Sequence, residues 1–461
     1  VYALLAKLLD DIRASYWFVP MCMLITAIAL AFITRWLDAE SVMSEFAESS
    51  FLIASGADGA RTILSVIATT VMGVAGVTFS LTIVAVSFAS SNFGPRLIGN
   101  FMRDRGNQFT LGTFVGTFAY CLLILATVRG ESSTEMTAST ESFAPYLSLI
   151  VALVLALVCI AVLIYYIHHI AETINIENII ADIGRNLTSR IAEIYPDSDA
   201  EKTLVDEDSF PAATQHLQPS RISCQSTGYV QAIDHDKLEE LTETRQLLIR
   251  VHYRPGDFVT PHDSLLSVWS EEADKVPESE LRHCFATGPQ RTEHQNVLFL
   301  VEQLAEVIAR ALSPGVNDPF TAISCLNWYR LAIPEYINVF PDAVDEKKMV
   351  RCIVQVAPIN FERLTSVMFD TTRQYIVSDM NVLLHAMAMI AECASFAGPG
   401  QHQQVLKKHL KCFHDAGQQY HKCSIDAQSI TERYEQTLII LSNKDGNPQQ
   451  RYENWWFGGS A

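Results

Sequence analysis

The chain has 461 residues, of which 49% are hydrophobic and only 18% charged, a ratio high for a soluble protein of two or three domains. Its formal net charge of −18 argues against a nucleic-acid partner, which calls for a basic surface. The apolar excess lies before residue 168, so composition points to a membrane domain followed by a polar region.

Four stretches are each long enough to cross a hydrocarbon core of about 30 Å as a helix. They are Tyr16 to Trp36, Thr62 to Ser91, Asn107 to Val128 and Phe143 to Ile167. Lipid offers no water to backbone groups, so helices are the expected form. A cleaved signal peptide fits poorly, because the first stretch exceeds a signal core and three more follow. The loop after the first stretch holds Asp38, Glu40, Glu45, Glu48 and Asp58 and no basic residue, and the third loop holds Glu131, Glu135 and Glu141. Arg96, Arg103 and Arg105 fall in the second loop, and Arg185 and Arg190 follow the fourth stretch. Positive charge stays inside, so both termini of this multi-pass protein are expected in the cytoplasm. Seven of the ten cysteines lie in the expected cytosolic part without CxxC spacing, and they read as reduced thiols.

The second stretch carries small or hydroxylated residues at Thr69, Gly73, Gly76, Ser80, Ser87 and Ser91, close to a heptad spacing that makes one stripe. Two readings stand side by side: close helix packing, or the lining of a narrow pore in a homo-oligomer. Gly112 and Gly116 add a GxxxG pair on the third stretch. Gly94 and Pro95 break the second helix and form a candidate gating hinge, followed by a short interfacial helix with Leu97, Ile98, Phe101 and Met102 on its apolar face. Helical spacing past His168 and His169 predicts a stalk over 168–193, and 194–220 reads as a linker. Domain bounds follow: a transmembrane domain at 1–167, the stalk, the linker, a small β-unit at 221–275 and a helical domain at 276–461.

Ile249, Val251 and Tyr253 alternate with Arg250, His252 and Arg254, the two-residue period of a strand, and Pro255-Gly256-Asp257 turns it. Arg250, His252 and Arg254 then share a face that is either solvated or an anion site. Val297, Val301, Leu304, Ile308 and Leu312 form a helical core stripe, with Glu306 and Arg310 paired on another face. The "ALSPGVNDPFTA" corner ends this helix. Gly315 suits a left-handed C-terminal cap, Asp318 an N-cap and Pro319 a first helical position. Ser313, Asn317, Asp318 and Thr321 also supply polar atoms for a ligand or a neighbouring subunit. Further helices are expected near Phe361–Ile376, Asn381–Phe396, Gln403–Phe413 and Ile425–Leu441. His402, His409, Cys412, His414, His421 and Cys423 are the best metal candidates, yet on one helix they scatter, and neither metal nor cofactor is assigned.

The segments "ARALSPGVNDPFTA", "RTEHQNVLFLVEQL", "GYVQAID…RPGDFV" and "SSNFGPRLIGNFMRDRGNQFTLGTFVGTFAYCLL" resemble those of a bacterial predicted integral membrane protein family, domain of unknown function family 2254. The resemblance spans most of the chain. It implies an integral inner-membrane protein and assigns no activity. One departure is Asn296, where the resemblance implies an acidic residue.

The expected fold is therefore a mainly α membrane protein: four transmembrane helices, then a cytosolic α+β region with a small β-unit and a helical C-terminal domain. Its partners are the lipid bilayer, further copies of itself and ions. No HExxH, Walker A, GxSxG or Rossmann glycine pattern argues for an enzyme. The favoured function is an oligomeric ion channel or pore lined by the second helix and gated by the cytosolic domain. The alternative is a membrane-anchored sensor or scaffold that binds a cytosolic metabolite or protein.

Overall fold

A computed structural model describes residues 15–39, 56–94, 104–128, 145–193, 218–270, 276–293, 295–341, 350–351, 354–356 and 359–442. The chain forms two compact units, residues 8–175 and essentially 176–461.

In the first unit the helices are α1 (Phe18–Ala39), α2 (Gly56–Phe93), α3 (Arg105–Leu125) and α4 (Tyr146–Thr173). All four are long and apolar enough to cross a membrane. α3 is the central element, packed by the other three. Gly112 and Gly116 set its approach to α1: a Cβ at Gly112 would lie 2.5 Å from Met23 Sδ and one at Gly116 would lie 3.3 Å from Ala27 Cβ. Small side chains let helix backbones come close where lipid gives no hydrophobic drive between them.

Polar ties close both ends of this bundle. Near one end the Asp38 carboxylate accepts from the Leu147 and Ser148 amides at 2.8 and 3.0 Å, capping α4 from α1. The Tyr120 hydroxyl there donates to Ser148 O at 3.1 Å and shares a hydrogen bond with Thr34 Oγ1. Near the other end Asp104 caps α3 and accepts from His169 Nε2 at 2.7 Å. Tyr166 donates to Thr78 O and shares a hydrogen bond with Thr82 Oγ1, each at 2.8 Å. Hydroxyls that find partners inside the bundle avoid the several kcal/mol that an unpaired polar group costs in hydrocarbon.

The second unit starts at α5 (Ile176–Glu193). The expected continuous stalk is two helices, interrupted at Ile174 and Asn175. Ile180, Ile183, Leu187 and Ile191 of α5 are buried. Gly184 lets Trp328 press against α5, where a Cβ would sit 2.1 Å from the indole ring.

The β-region follows with β1 (Ser220–Ser223), β2 (Gly228–Ile233), α6 (His235–Arg245), β3 (Leu248–Val251), β4 (Phe258–Val259), β5 (Ser264–Trp269), α7 (Glu278–His283) and β6 (Phe285–Gly288). Next come α8 (Val297–Ala311), α9 (Pro319–Val339), β7 (Val350–Arg351) and β8 (Val354–Val356). The chain then runs through α10 (Phe361–Phe369), α11 (Arg373–Ile376), α12 (Met380–Ala397), α13 (Gln401–Tyr420) and α14 (Ser424–Ser442). One sheet has strand order β1-β5-β3-β8-β7 and the other β4-β2-β6. The β-region thus draws β6, β7 and β8 from residues the sequence assigns to the helical domain. β8 joins as a parallel partner of β3, a long-range pairing with no local signature.

α12 is a fifth helix of sufficient length and apolarity to cross a membrane. It packs against α9, α13 and α14, and Ala386 through Ala391 are each 0% exposed. A helix apolar on nearly every side and wrapped by polar-faced helices is the core of its unit.

Candidate functional site

The described residues of α2 that are buried are Ala60, Leu64, Ala68, Val71, Ala75, Thr78, Thr82, Ala85 and Ala89, spaced by three or four. This is a seam with a period near 3.5, and it faces α3 and α4. Thr69, Gly73, Gly76, Ser80 and Ser87 each lie five positions after a seam residue, about 140° round the helix. They and Ser91 are exposed, and a Cβ at Gly73 or Gly76 would meet nothing within 4 Å. Packing within the chain therefore uses the alanine seam, while the glycine and hydroxyl stripe faces outward. A shallow depression of about 380 Å³ runs along Thr69, Gly73, Val77 and Leu163.

α2 ends where expected. Gly94 has φ of +124°, a conformation that side chains rarely adopt, and its amide still donates to Ser90 O at 3.2 Å. Pro95 lies outside the described residues.

At the helix corner the side chains of Ser313, Asp318 and Thr321 are committed locally. Ser313 Oγ donates to Arg310 O at 2.6 Å. The Asp318 carboxylate accepts from the Thr321 amide at 3.2 Å and from Thr321 Oγ1 at 2.6 Å, and the Asp318 amide donates to Ala311 O at 2.8 Å. Pro319 takes the first turn of α9. The left-handed residue is Asn317, with φ of +50°, in place of the expected Gly315. Asn tolerates this region because its short amide bonds locally. Beside the exposed Asn317 the corner displays apolar side chains, Val316 being 52% and Phe320 77% exposed, a feature that the polar pattern of the segment concealed.

Two of the four quoted segments meet in space, one of them through both of its parts. Gln295 donates from its amide to Ile233 O at 3.1 Å and accepts from the Ile233 amide at 2.9 Å. The Gly256 amide donates to Val230 O at 2.7 Å. Asn296 caps α8, its Oδ1 accepting from the Phe299 amide at 3.1 Å, and its side chain fills the space a Cβ at Gly256 would need. An aspartate would make the same cap, so the departure at this position keeps that role.

Arg250 and His252 share one sheet face, as the strand period requires. Arg254 does not join them: it stands in the turn, where its amide donates to Asp257 Oδ2 at 2.8 Å. Arg221 of β1 joins instead, a residue that strand register alone brings in.

The histidines of the last helices disperse. His402 packs edge-on against Phe361, His414 stacks on Tyr434 and His421 Nε2 donates to Val377 O at 2.9 Å. Among the described residues no three His, Cys, Asp or Glu side chains come together as a metal set. His409 lines a groove of about 350 Å³ between α10 and α13, with Arg363, Ser366, Asp370, Lys408 and Cys412. Its Nδ1 is buried without a hydrogen-bond partner and lies 3.7 Å from Asp370 Oδ1. Burial holds its imidazole below the ordinary value, the Asp370 charge opposing.

A family model described as a predicted membrane protein matches residues 13–392. An uncharacterized protein of Mycobacterium bovis is 34% identical over 276 residues, covering 58% of this chain and 50% of that protein. One of Mycobacterium tuberculosis matches to the same extent. The chain thus spans about half the length of these relatives. No solved structure matches it.

Proposed function

The chain belongs to that family of predicted membrane proteins, DUF2254, and from this premise we propose an inner-membrane channel whose copies meet through the outward stripe of α2. They would enclose a narrow ion pathway that the second unit gates. The observation that carries this reading is the double use of small residues on one helix: alanines turned inward, and Gly73, Gly76, Ser80 and Ser87 turned out. A helix serving only as an anchor gains nothing from glycines on its lipid side. A second α2 laid there gains close packing or leaves a weakly polar lumen. Gly94, with its left-handed backbone at the end of α2, supplies the hinge.

Purified protein in liposomes tests this by ion flux, with and without membrane tension. Flux is expected in the native chain and lost in Gly73→Leu. A native chain that passes no ion under either condition removes the channel.

A membrane-anchored sensor is the second reading, and what favours it is the groove beside His409, which is of a size that takes a small molecule. In that case bulk on the α2 stripe disturbs assembly, and permeability is absent throughout.

A further inference from the structure

In a chain of net charge −18, one face of the five-stranded sheet gathers basic groups. β5 lies between β1 and β3, and its Ser267 is the register partner of Arg221 on one side and of Arg250 on the other. Adjacent strands lie about 4.8 Å apart, so the two arginine backbones stand about 10 Å apart with the serine midway. Two arginine side chains flanking the serine are long enough to reach into that span. His252, the residue just after β3, lies on the same side, its Nε2 2.8 Å from Ser267 Oγ. The opposite face carries Ile222, Ile249, Leu266 and Val268, all fully buried, which locks the register and hence this polar row.

The elements of the row differ in exposure as a site requires. Ser267 is 6% exposed and forms a floor, while Arg221 and His252 are exposed around it. Arg250 lies over the Trp269 ring at 5.7 Å, a stack that holds its planar group in place. Partial burial, then the charges of Arg250 and Arg221, keep the His252 imidazole below its ordinary value. Both guanidinium charges are thus near enough to bear on the same imidazole.

We propose that Arg221, Arg250, His252 and Ser267 form a binding site for a phosphate-bearing anion. A carboxylate is satisfied by one guanidinium fork. Two guanidiniums on opposite sides of a hydroxyl and an imidazole suit an oxyanion with more oxygens and nearly two negative charges, as a phosphoryl group has at neutral pH. The site stands independently of any pore along α2.

The test uses the full chain in phosphatidylcholine nanodiscs, titrated with pyrophosphate while the unfolding midpoint is followed. Pyrophosphate raises the midpoint of the native chain. Arg221→Gln and Arg250→Gln each weaken the apparent affinity about tenfold, whereas Arg254→Gln, in the turn, leaves it unchanged. If Arg250→Gln fails to fold, Arg221→Gln carries the test, because that side chain is exposed. Where pyrophosphate has no effect but nanodiscs containing phosphatidylglycerol raise the midpoint of the native chain and not of Arg221→Gln, the phosphate is a lipid headgroup. No response to either source overturns the site. So does a response that Arg221→Gln retains, or one that Arg254→Gln loses equally.

Discussion

Asp318 illustrates how a residue that looks reactive in sequence is consumed by structure. Its two carboxylate oxygens take the Thr321 amide and hydroxyl, so Asp318→Ala leaves both donors unpaired at the start of α9. Loss of such a cap costs about 1 kcal/mol, and Asp318→Asn should recover most of it. Denaturant unfolding of the purified chain measures this. If the alanine variant is as stable as the native chain but assembles differently, the residue is a contact and not a cap. His385 makes a second case at this scale. Burial, with Arg330 and Arg433 adding repulsion, pushes its imidazole down to about 4 from an ordinary 6.5. Between those values the unfolded chain binds more protons than the folded one, so stability rises with pH. Full stability from this group is present above pH 6.5 and is lost as pH falls toward 4, at up to about 1.4 kcal/mol per pH unit. His385→Gln should therefore show a shallower acid loss of stability across this window, and an unchanged slope would refute the assignment. His409, also held low by burial, contributes with the same sign and remains in the variant.

At the scale of elements, α2 separates two kinds of small residue by what bulk does to each. Ala75 is 4% exposed in the inward seam, so Ala75→Leu overpacks the bundle and should cost about 1–3 kcal/mol. Gly76, its immediate neighbour, faces open space, so Gly76→Leu should leave the fold of the chain intact and alter only assembly and flux. Thermal unfolding read beside cross-linking separates them, and equal destabilisation by both would mean that the stripe packs inward. The sequence shows the glycine and hydroxyl stripe but not its direction, because alanines spaced by three and four on the same helix compete for the inward role. Span lengths were legible for a physical reason: bilayer thickness imposes them locally. Long-range pairing is not local, and this hid the contribution of Val354–Val356 to the sheet and of Arg221 to the basic face. α13 continues through Gly417, where a Cβ would come 2.7 Å from Leu383 of α12. Glycine there serves a close crossing. The expected helix over Phe361–Ile376 is instead α10 and α11, parted where the Thr372 hydroxyl donates to Met368 O at 2.6 Å.

At the scale of the whole molecule, the question is which apolar helices cross the bilayer, because the number of spans decides on which side each part lies. Four spans return the chain to its starting side after α4, as the arginines at positions 96, 103, 105, 185 and 190 favour. A fifth crossing by α12 would put everything after Ala397 on the opposite side. Against it stand the ion pair between Arg330 and Glu392, the hydrogen bond of His385 Nε2 to Asn327 Oδ1 at 2.9 Å, and complete burial of Ala386–Ala391 by helices with polar outer faces. Pulling α12 into lipid would strip Glu392 of its partner and open the core of the second unit, a cost of several kcal/mol for the charge alone. The expected outcome is that residues 176–442, expressed without the first unit, stay in the aqueous phase with helical circular dichroism and a cooperative unfolding transition. Reporter fusions placed after residue 193 and after residue 442 of the full chain should then report the same side. A fragment that partitions into membranes, together with reporters on opposite sides, would make α12 a span and reverse the placement of α13 and α14.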